Sequence, residues 1–160
     1  MQDPGLRDLA VLTSGEARDV DAIASQIIPT DHTPGAHEAG AVYFIDRALA
    51  TFYAPHRSDF QSGYRDFAAT LASAHPGTGF GELPGERQHE FLRVIEGTPF
   101  FATVRFLTVL GLLADPRYGG NRDGVGWKLI GFEDQHVFAP PFGYYDRDYA
   151  GFVPYPKKPA

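Results

Sequence analysis

The chain has no cysteine among its 160 residues, and this absence excludes several kinds of chemistry. Without cysteine there is no disulfide, no thiolate nucleophile, no cysteine-ligated iron–sulfur cluster and no Cys-x-x-Cys-His haem attachment. Positive charge is also scarce, because the formal net charge is -6 at pH 7. Nucleic acids and anionic membrane surfaces attract basic patches, so this composition argues against both as partners.

Long apolar runs and cofactor motifs are missing as well. No segment approaches the ~20 apolar residues that a membrane-spanning helix needs. Residues 1–5 show neither the basic region nor the apolar region of a signal peptide. Gly77, Gly79 and Gly81 have the wrong spacing for a dinucleotide site, and no nucleophile elbow or phosphate loop occurs. The sequence therefore predicts no cofactor in this chain.

What the chain does have is apolar residues at helical spacing, and hydrophobic residues make up 43% of it. This content suffices for the core of one domain. The predicted helices run from Thr13 to Pro29, from about Ala36 to Tyr53, from Ser58 to His75, from Pro84 to Gly97 and from Thr98 to Asp115. The sequence predicts a mainly α fold, with about five helices in a compact, bundle-like domain. The C-terminal third should be irregular, because it is rich in glycine, proline and aromatic residues.

The stretch from Asp115 to Gly131 is the most distinctive part of the chain. It holds five of the 18 glycines and the single tryptophan, Trp127. Asp115-Pro116 is a helix stop, and Gly119-Gly120-Asn121 predicts a tight turn. We expect Trp127 to be buried, with its indole N–H bonded to an acceptor. The simplest interpretation is an ordered structural loop that is fixed by this tryptophan.

Residues 138–160 differ from the helical domain, which we assign to residues 1–137. Seven aromatic residues alternate there with prolines, which prevent regular helix. So many aromatic side chains are too apolar for a freely solvated tail. The segment is therefore predicted to be an extended tail that packs either on its own domain or on a partner protein.

One group of residues has the side chains of a metal site: Asp31, His32, His37 and Glu38. Their spacing matches no standard zinc or iron site, and polar residues are ordinary in a loop that enters a helix. We therefore predict structural or interfacial roles for them, with a metal site as the alternative.

Two sets of motifs together resemble one known family. The first set is Ile27 to Asp31, Pro34 to Gly40 and Phe44 to Asp46. The second set is Phe101 to Arg105, Asp115-Pro116, Tyr118 to Asn121, Gly126-Trp127 and Ile130-Gly131. In this order, over about residues 16–132, they resemble the small-subunit family of gluconate 2-dehydrogenase, subunit 3.

The resemblance implies a small, non-catalytic subunit that accompanies a large flavoprotein of the glucose-methanol-choline type. In that family the large subunit binds FAD and oxidises a sugar, a sugar acid or a related alcohol, and a cytochrome c subunit often accepts the electrons. Members are periplasmic and often carry a twin-arginine signal, with which they escort the large subunit across the membrane. No twin arginine precedes Leu6 here, so a cytoplasmic location is the alternative.

The residues predicted to contact the large subunit are Tyr118, Asn121, Trp127, Phe142, Tyr144, Tyr145, Tyr149, Phe152 and Tyr155. Two other functions remain open. One is a free-standing, metal-dependent enzyme that uses Asp31, His32 and His37, and the other is a module that binds a small molecule. The sequence does not name the substrate of the complex, because the large subunit sets it.

Overall fold

The computed structural model describes residues 8–134, and these residues form six α-helices and no strand. The helices are α1 (Ser14–Ile27), α2 (Ala41–Ala50), α3 (Arg57–Ala74), α4 (Gly85–Ile95), α5 (Pro99–Leu113) and α6 (Val125–Ile130). The predicted mainly α fold is confirmed, with one more helix than expected. Within residues 8–134, no helix is both long and apolar enough to cross a bilayer. The predicted extended tail, residues 138–160, lies outside the described residues.

Helices α1 and α5 begin directly after Thr13 and Thr98, where the sequence predicts their starts, and each threonine is the N-cap. The Thr13 hydroxyl accepts a hydrogen bond from the Glu16 N–H at 3.3 Å, and the Glu16 carboxylate accepts one from the Thr13 N–H at 2.7 Å. This reciprocal pair is a capping box, which satisfies two backbone donors that the helix leaves unpaired. At the start of α5, the Thr98 hydroxyl accepts from the Phe101 N–H at 3.2 Å, and Pro99 occupies the first helical position.

Two other helix boundaries differ from the prediction. The second helix begins at Ala41 and not at Ala36, because Gly40 adopts φ 66°, a left-handed conformation that cannot continue a right-handed helix. The third helix begins at Arg57, one residue before the predicted start at Ser58, and it follows a 3-10 turn, Ala54–His56, without a side-chain cap. Here the preceding turn sets the helix start, so no side-chain cap is needed.

Helix α5 is the centre of the fold and packs against α1, α2, α3 and α6. Gly111 lets α5 lie close to α2, because a Cβ there would lie 3.1 Å from the Cβ of Phe44. The fully buried aliphatic side chains of α1, α2 and α5 are Val20, Ile23, Ile45, Leu49, Val104 and Leu107. These residues form the main core, and the predicted apolar stripes of the three helices face one another there.

A cluster of phenylalanines completes the core between α3, α4 and α5. The ring of Phe67 lies 5.6 Å from Phe80, 5.7 Å from Phe91 and 5.5 Å from Phe100, measured between centroids. These tilted and edge-on arrangements are the ones that aromatic quadrupoles favour. Gly63 on α3 makes room for the cluster, because a Cβ there would lie 2.7 Å from the Cβ of Phe100.

A buried carboxylate on α2 fixes the segment that precedes α1. Asp46 is almost fully buried, and its two oxygens accept hydrogen bonds from the backbone N–H groups of Ala10, Val11 and Leu12 at 2.7–2.9 Å. A buried carboxylate is costly unless it is hydrogen-bonded, and here three donors satisfy it. Asp46 therefore connects the N-terminal arm to the core.

The Asp46→Asn variant should lower the free energy of unfolding by about 1.5–3 kcal/mol, the range for hydrogen bonds to a charged group. An amide would offer one acceptor oxygen and would point a donor at the remaining N–H groups. The matched control is Asp66→Asn, at an exposed position on α3, for which we expect no measurable change. Urea unfolding of both variants measures the difference. Equal stability of the two would contradict the assigned role of Asp46.

Candidate partner interface

The backbone between α5 and α6 lies so close to the end of α5 that side chains would not fit between them. A Cβ at Gly120 would lie 2.1 Å from the carbonyl oxygen of Gly111, and a Cβ at Gly126 would lie 1.9 Å from that of Leu112. Neither distance allows any residue other than glycine without a shift of backbone. The predicted turn is present, because Gly119 adopts φ 102° and Asn121 adopts φ 45°. The glycines thus bring the backbone of α6 onto α5.

Asn121 joins the two helices through its side chain. Its amide nitrogen donates to the carbonyl of Ala114 at 2.9 Å, and its amide oxygen accepts from the N–H of Gly126 at 2.8 Å. The first bond satisfies a carbonyl at the end of α5, and the second satisfies an N–H in the first turn of α6. Asn121 is fully buried within this chain, so its side chain offers no surface to a partner. This differs from its predicted place in an interface, and its role is to hold the loop.

Trp127 lies on α6 and is half-buried. The prediction of a buried tryptophan is therefore wrong. The expected hydrogen bond is present, because the indole N–H donates to the carbonyl of Leu113 at 2.7 Å. The indole packs on the ring of Phe132, with centroids 5.1 Å apart. Trp127 therefore connects the end of α5 to the chain after α6, and it leaves part of its ring exposed.

Large apolar side chains are exposed along α5 and around α6. Phe106, Val109 and Leu113 recur at helical spacing, so they form one stripe on α5. The stripe ends where Trp127 bonds to Leu113, next to the exposed apolar residues of α6 and its C-terminal end. We call this surface the α5–α6 face, and its residues are Phe52, Phe106, Val109, Leu113, Leu129, Ile130 and Phe132. It is the most extensive group of exposed apolar side chains within residues 8–134.

Ring contacts connect Phe52 to this face, although it follows α2 in sequence. Its ring lies 6.1 Å from that of Tyr53, and Tyr53 lies 6.4 Å from Phe106. The second helix was predicted to extend to Tyr53 and so to include Phe52. Helix α2 ends at Ala50, so the helical spacing no longer applies to Phe52.

The predicted contact residues fall into three groups in the structure. Tyr118 is exposed and Trp127 is half-buried, so both leave surface that a partner could reach. Asn121 is buried. The tail residues lie outside the described residues: Phe142, Tyr144, Tyr145, Tyr149, Phe152 and Tyr155.

The four candidate metal ligands are held by separate local contacts. Asp31 accepts from the N–H and hydroxyl of Thr33 at 2.7 and 2.8 Å, and His37 Nδ1 lies 2.7 Å from the carboxylate of Asp21. Glu38 accepts from the Thr30 hydroxyl at 2.5 Å and from the Gly35 N–H at 2.9 Å. Exposed His32 lies 3.4 Å from Asp31. Within residues 8–134, no group of three His, Asp or Glu is arranged to hold a metal ion.

Hydrogen bonds also set the charge state of two of these carboxylates. The Thr30 hydroxyl is the main cause that lowers the pKa of Glu38 below its usual value. The Thr33 N–H has the same effect on the pKa of Asp31, which is fully exposed. Both carboxylates are therefore charged at neutral pH, and Glu38 fixes the loop between α1 and α2 through its two bonds.

The sequence model of a protein family described as gluconate 2-dehydrogenase subunit 3 matches residues 14–134. The match takes in α1 to α6, including the loop that Asn121 holds. It confirms the family that the two sets of motifs resemble. No curated protein and no solved structure matches the chain.

Gly126→Ala should destabilise the protein by about 1–3 kcal/mol, the range for overpacking, because the new methyl group would collide with the carbonyl of Leu112. The shift should move α6 and expose more of the indole, so the emission of Trp127 should move to longer wavelength. The control is Gly97→Ala, because a Cβ there meets nothing within 4 Å. If Gly126→Ala matched this control in both stability and emission, the close contact would be refuted.

Glu38→Gln should show a stability loss that depends on pH. Because folding lowers the pKa of Glu38, its charge stabilises the fold above the unfolded pKa, near the ordinary value of 4.5, and this contribution disappears as the pH falls through the folded pKa. The difference in unfolding free energy between wild type and variant should therefore be present at pH 7 and shrink below pH 4.5. Glu96→Gln, at an exposed position after α4, is the control. A Glu38→Gln difference that stayed constant down to pH 3 would contradict this account.

Proposed function

The chain belongs to the gluconate 2-dehydrogenase subunit 3 family, and we propose that it is the non-catalytic small subunit that binds and stabilises a large FAD-dependent oxidoreductase. The observation that carries the proposal is the family match over residues 14–134, since the family is described as one subunit of a dehydrogenase. The reaction chemistry belongs to the large subunit, which is a flavoprotein of the glucose-methanol-choline type. Its substrate is a sugar, a sugar acid or a glycoside.

The surface of this chain supports a role in an assembly. Apolar side chains are exposed on α5, the central helix of the fold. In a protein without a partner these side chains would stay in contact with water. Exposed apolar patches of this size often mark contact sites between proteins. Trp127 lies beside this surface, and Tyr118 is exposed in the loop before α6. Both combine an apolar ring with a polar group, a combination that is enriched in interfaces.

The same proposal covers the location and the remaining partners of the complex. The resemblance supports a periplasmic complex in which a cytochrome c subunit accepts electrons from the flavoprotein, and in which this chain escorts the large subunit during export. A cytoplasmic complex is the alternative. Fractionation of the native cell, followed by detection of both subunits, distinguishes the two locations.

Co-expression with the large subunit tests the proposal. A tag on this chain should retrieve a yellow complex that oxidises its sugar substrate, whereas the isolated chain should be colourless and inactive. The large subunit expressed alone should be less soluble or less stable. Sugar oxidation by the isolated chain, or a stoichiometric metal ion that its activity requires, would favour the free-standing enzyme. Stoichiometric binding of a small molecule without a large subunit would favour the binding module.

The same experiment with a shortened chain tests the predicted role of residues 138–160. Seven aromatic side chains that each bury roughly 150–250 Å² would supply the area of a standard interface. Truncation after Gln135 should leave the melting temperature of the isolated chain nearly unchanged and should weaken co-purification. Removal of residues 1–7 is the control and should affect neither. Loss of the isolated fold on truncation, or full retention of the complex, would overturn this role.

A further inference from the structure

Helix α5 is apolar on every side, which is the pattern of a helix that is covered all round. Its 15 residues, PFFATVRFLTVLGLL, contain one charged side chain, Arg105. Three neighbouring helices, α1, α2 and α3, pack against it, and α6 packs at its C-terminal end. The stripe of Phe106, Val109 and Leu113 remains exposed. One side of the central helix therefore lacks a cover within residues 8–134.

The exposed area is large enough to matter for binding. Phe52 is 60% exposed, Phe106 is 51% exposed and Phe132 is 44% exposed. If a whole phenylalanine side chain presents roughly 200 Å², these three alone leave about 300 Å² of apolar surface in water. The aliphatic residues of the face add to this area. The total reaches the range of the largest patch on a typical monomer, roughly 300–600 Å², which is often a functional surface.

The charges on the two helices indicate what kind of surface fits this face. The only charged residues within α5 and α6 are Arg105 and Lys128, and both are positive in a chain with a net charge of -6. Both side chains are exposed. Two acidic residues, Glu133 and Asp134, follow the face at its C-terminal end. A complementary surface has an apolar centre and acidic side chains opposite Arg105 and Lys128.

The last described residues lie on the same side of the molecule as the α5–α6 face. The described chain ends at Asp134, two residues after Phe132, whose ring packs on Trp127 at 5.1 Å. The last described residues therefore lie at the C-terminal end of the α5–α6 face, next to Trp127.

We propose that the α5–α6 face is the docking surface for the large flavoprotein subunit, and that it binds an apolar patch with acidic side chains at its margin. This proposal rests on the function proposed above and adds the location and the chemistry of the contact. The central stripe of α5 supplies the buried apolar part of the interface. Arg105 and Lys128 lie at its margin and steer the approach of the acidic partner.

A pair of valines provides the test. Val109 lies in the centre of the face and is 43% exposed, whereas Val94 lies on α4, which packs against α1, and is 71% exposed. Val109→Asp should weaken binding of the large subunit at least ~30-fold, as expected for a charge at the centre of an interface. Val94→Asp should stay within about twofold of wild type. Both are exposed helical valines that receive the same charge, so a difference between them reports their position.

The charged residues provide a second measurement. Arg105→Glu with Lys128→Glu should slow association with the large subunit at low salt, and raising the salt concentration should reduce the effect. Arg93→Glu, at an exposed position on α4, is the control and should not change the association rate. If the association rate of the double variant did not depend on salt, the partner would not have acidic side chains opposite Arg105 and Lys128.

Each remaining outcome also decides the proposal. If wild type and Val109→Asp bind the large subunit equally, the docking surface is elsewhere and the proposed function stands. If the wild-type chain binds no large subunit, both proposals fail. A melting temperature of isolated Val109→Asp that is clearly lower than that of isolated Val94→Asp would show that this chain itself covers the face. An isolated chain that dimerises in sedimentation experiments, and that Val109→Asp makes monomeric, would show that a second copy is the occupant. Either of these last two results overturns the proposal.

Discussion

The contact between the glycine-rich loop and the end of α5 fixes the position of α6, and the α5–α6 face depends on that position. Gly120 and Gly126 let the loop backbone approach the carbonyls of Gly111 and Leu112 at distances that exclude a Cβ. Asn121 then pairs a carbonyl of α5 with an N–H of α6. Together these contacts hold a six-residue helix that would not be stable alone in water. The position of α6 in turn sets the end of the apolar face.

Energetics argue that this face contributes to binding but does not suffice alone. Burial of about 300 Å² of phenylalanine surface contributes about 7.5 kcal/mol at ~25 cal/mol per Å². Association costs on the order of 4–15 kcal/mol in lost translational and rotational freedom. A stable complex therefore needs more area, which the aliphatic residues of the face and the predicted contacts of residues 138–160 would supply. In this account the two regions act together, because the face alone does not reach the size of a standard interface.

The sequence predicted the parts of the fold that local interactions determine. The capping box of Thr13 and Glu16, and the start of α5 at Thr98-Pro99, depend on residues within one helical turn. Gly40 interrupts the second predicted helix through its backbone conformation, which the pattern of apolar residues does not show. Helix α6 was missed because it has six residues, lies between two glycines with positive φ and is stabilised by α5. These are tertiary effects, which local spacing does not encode.

The candidate interface was predictable only in part. Asn121 looks like a surface turn residue in sequence, but α5 and α6 together surround its amide with matching backbone groups. Trp127 has the predicted acceptor, yet its indole packs at the edge of α5 and not within the core. The exposed stripe of α5 did leave a signal in the sequence, because a helix with one charged residue in 15 has no polar side to present to water.

Hydrogen–deuterium exchange, measured on the chain alone and in complex with its large flavoprotein subunit, tests the central claim most directly. The account predicts slower exchange in the complex for the second half of α5, for α6 and for the residues up to Asp134, with no change in α4. Protection confined to α4 or to the loop between α1 and α2, with α5 and α6 unchanged, would contradict it.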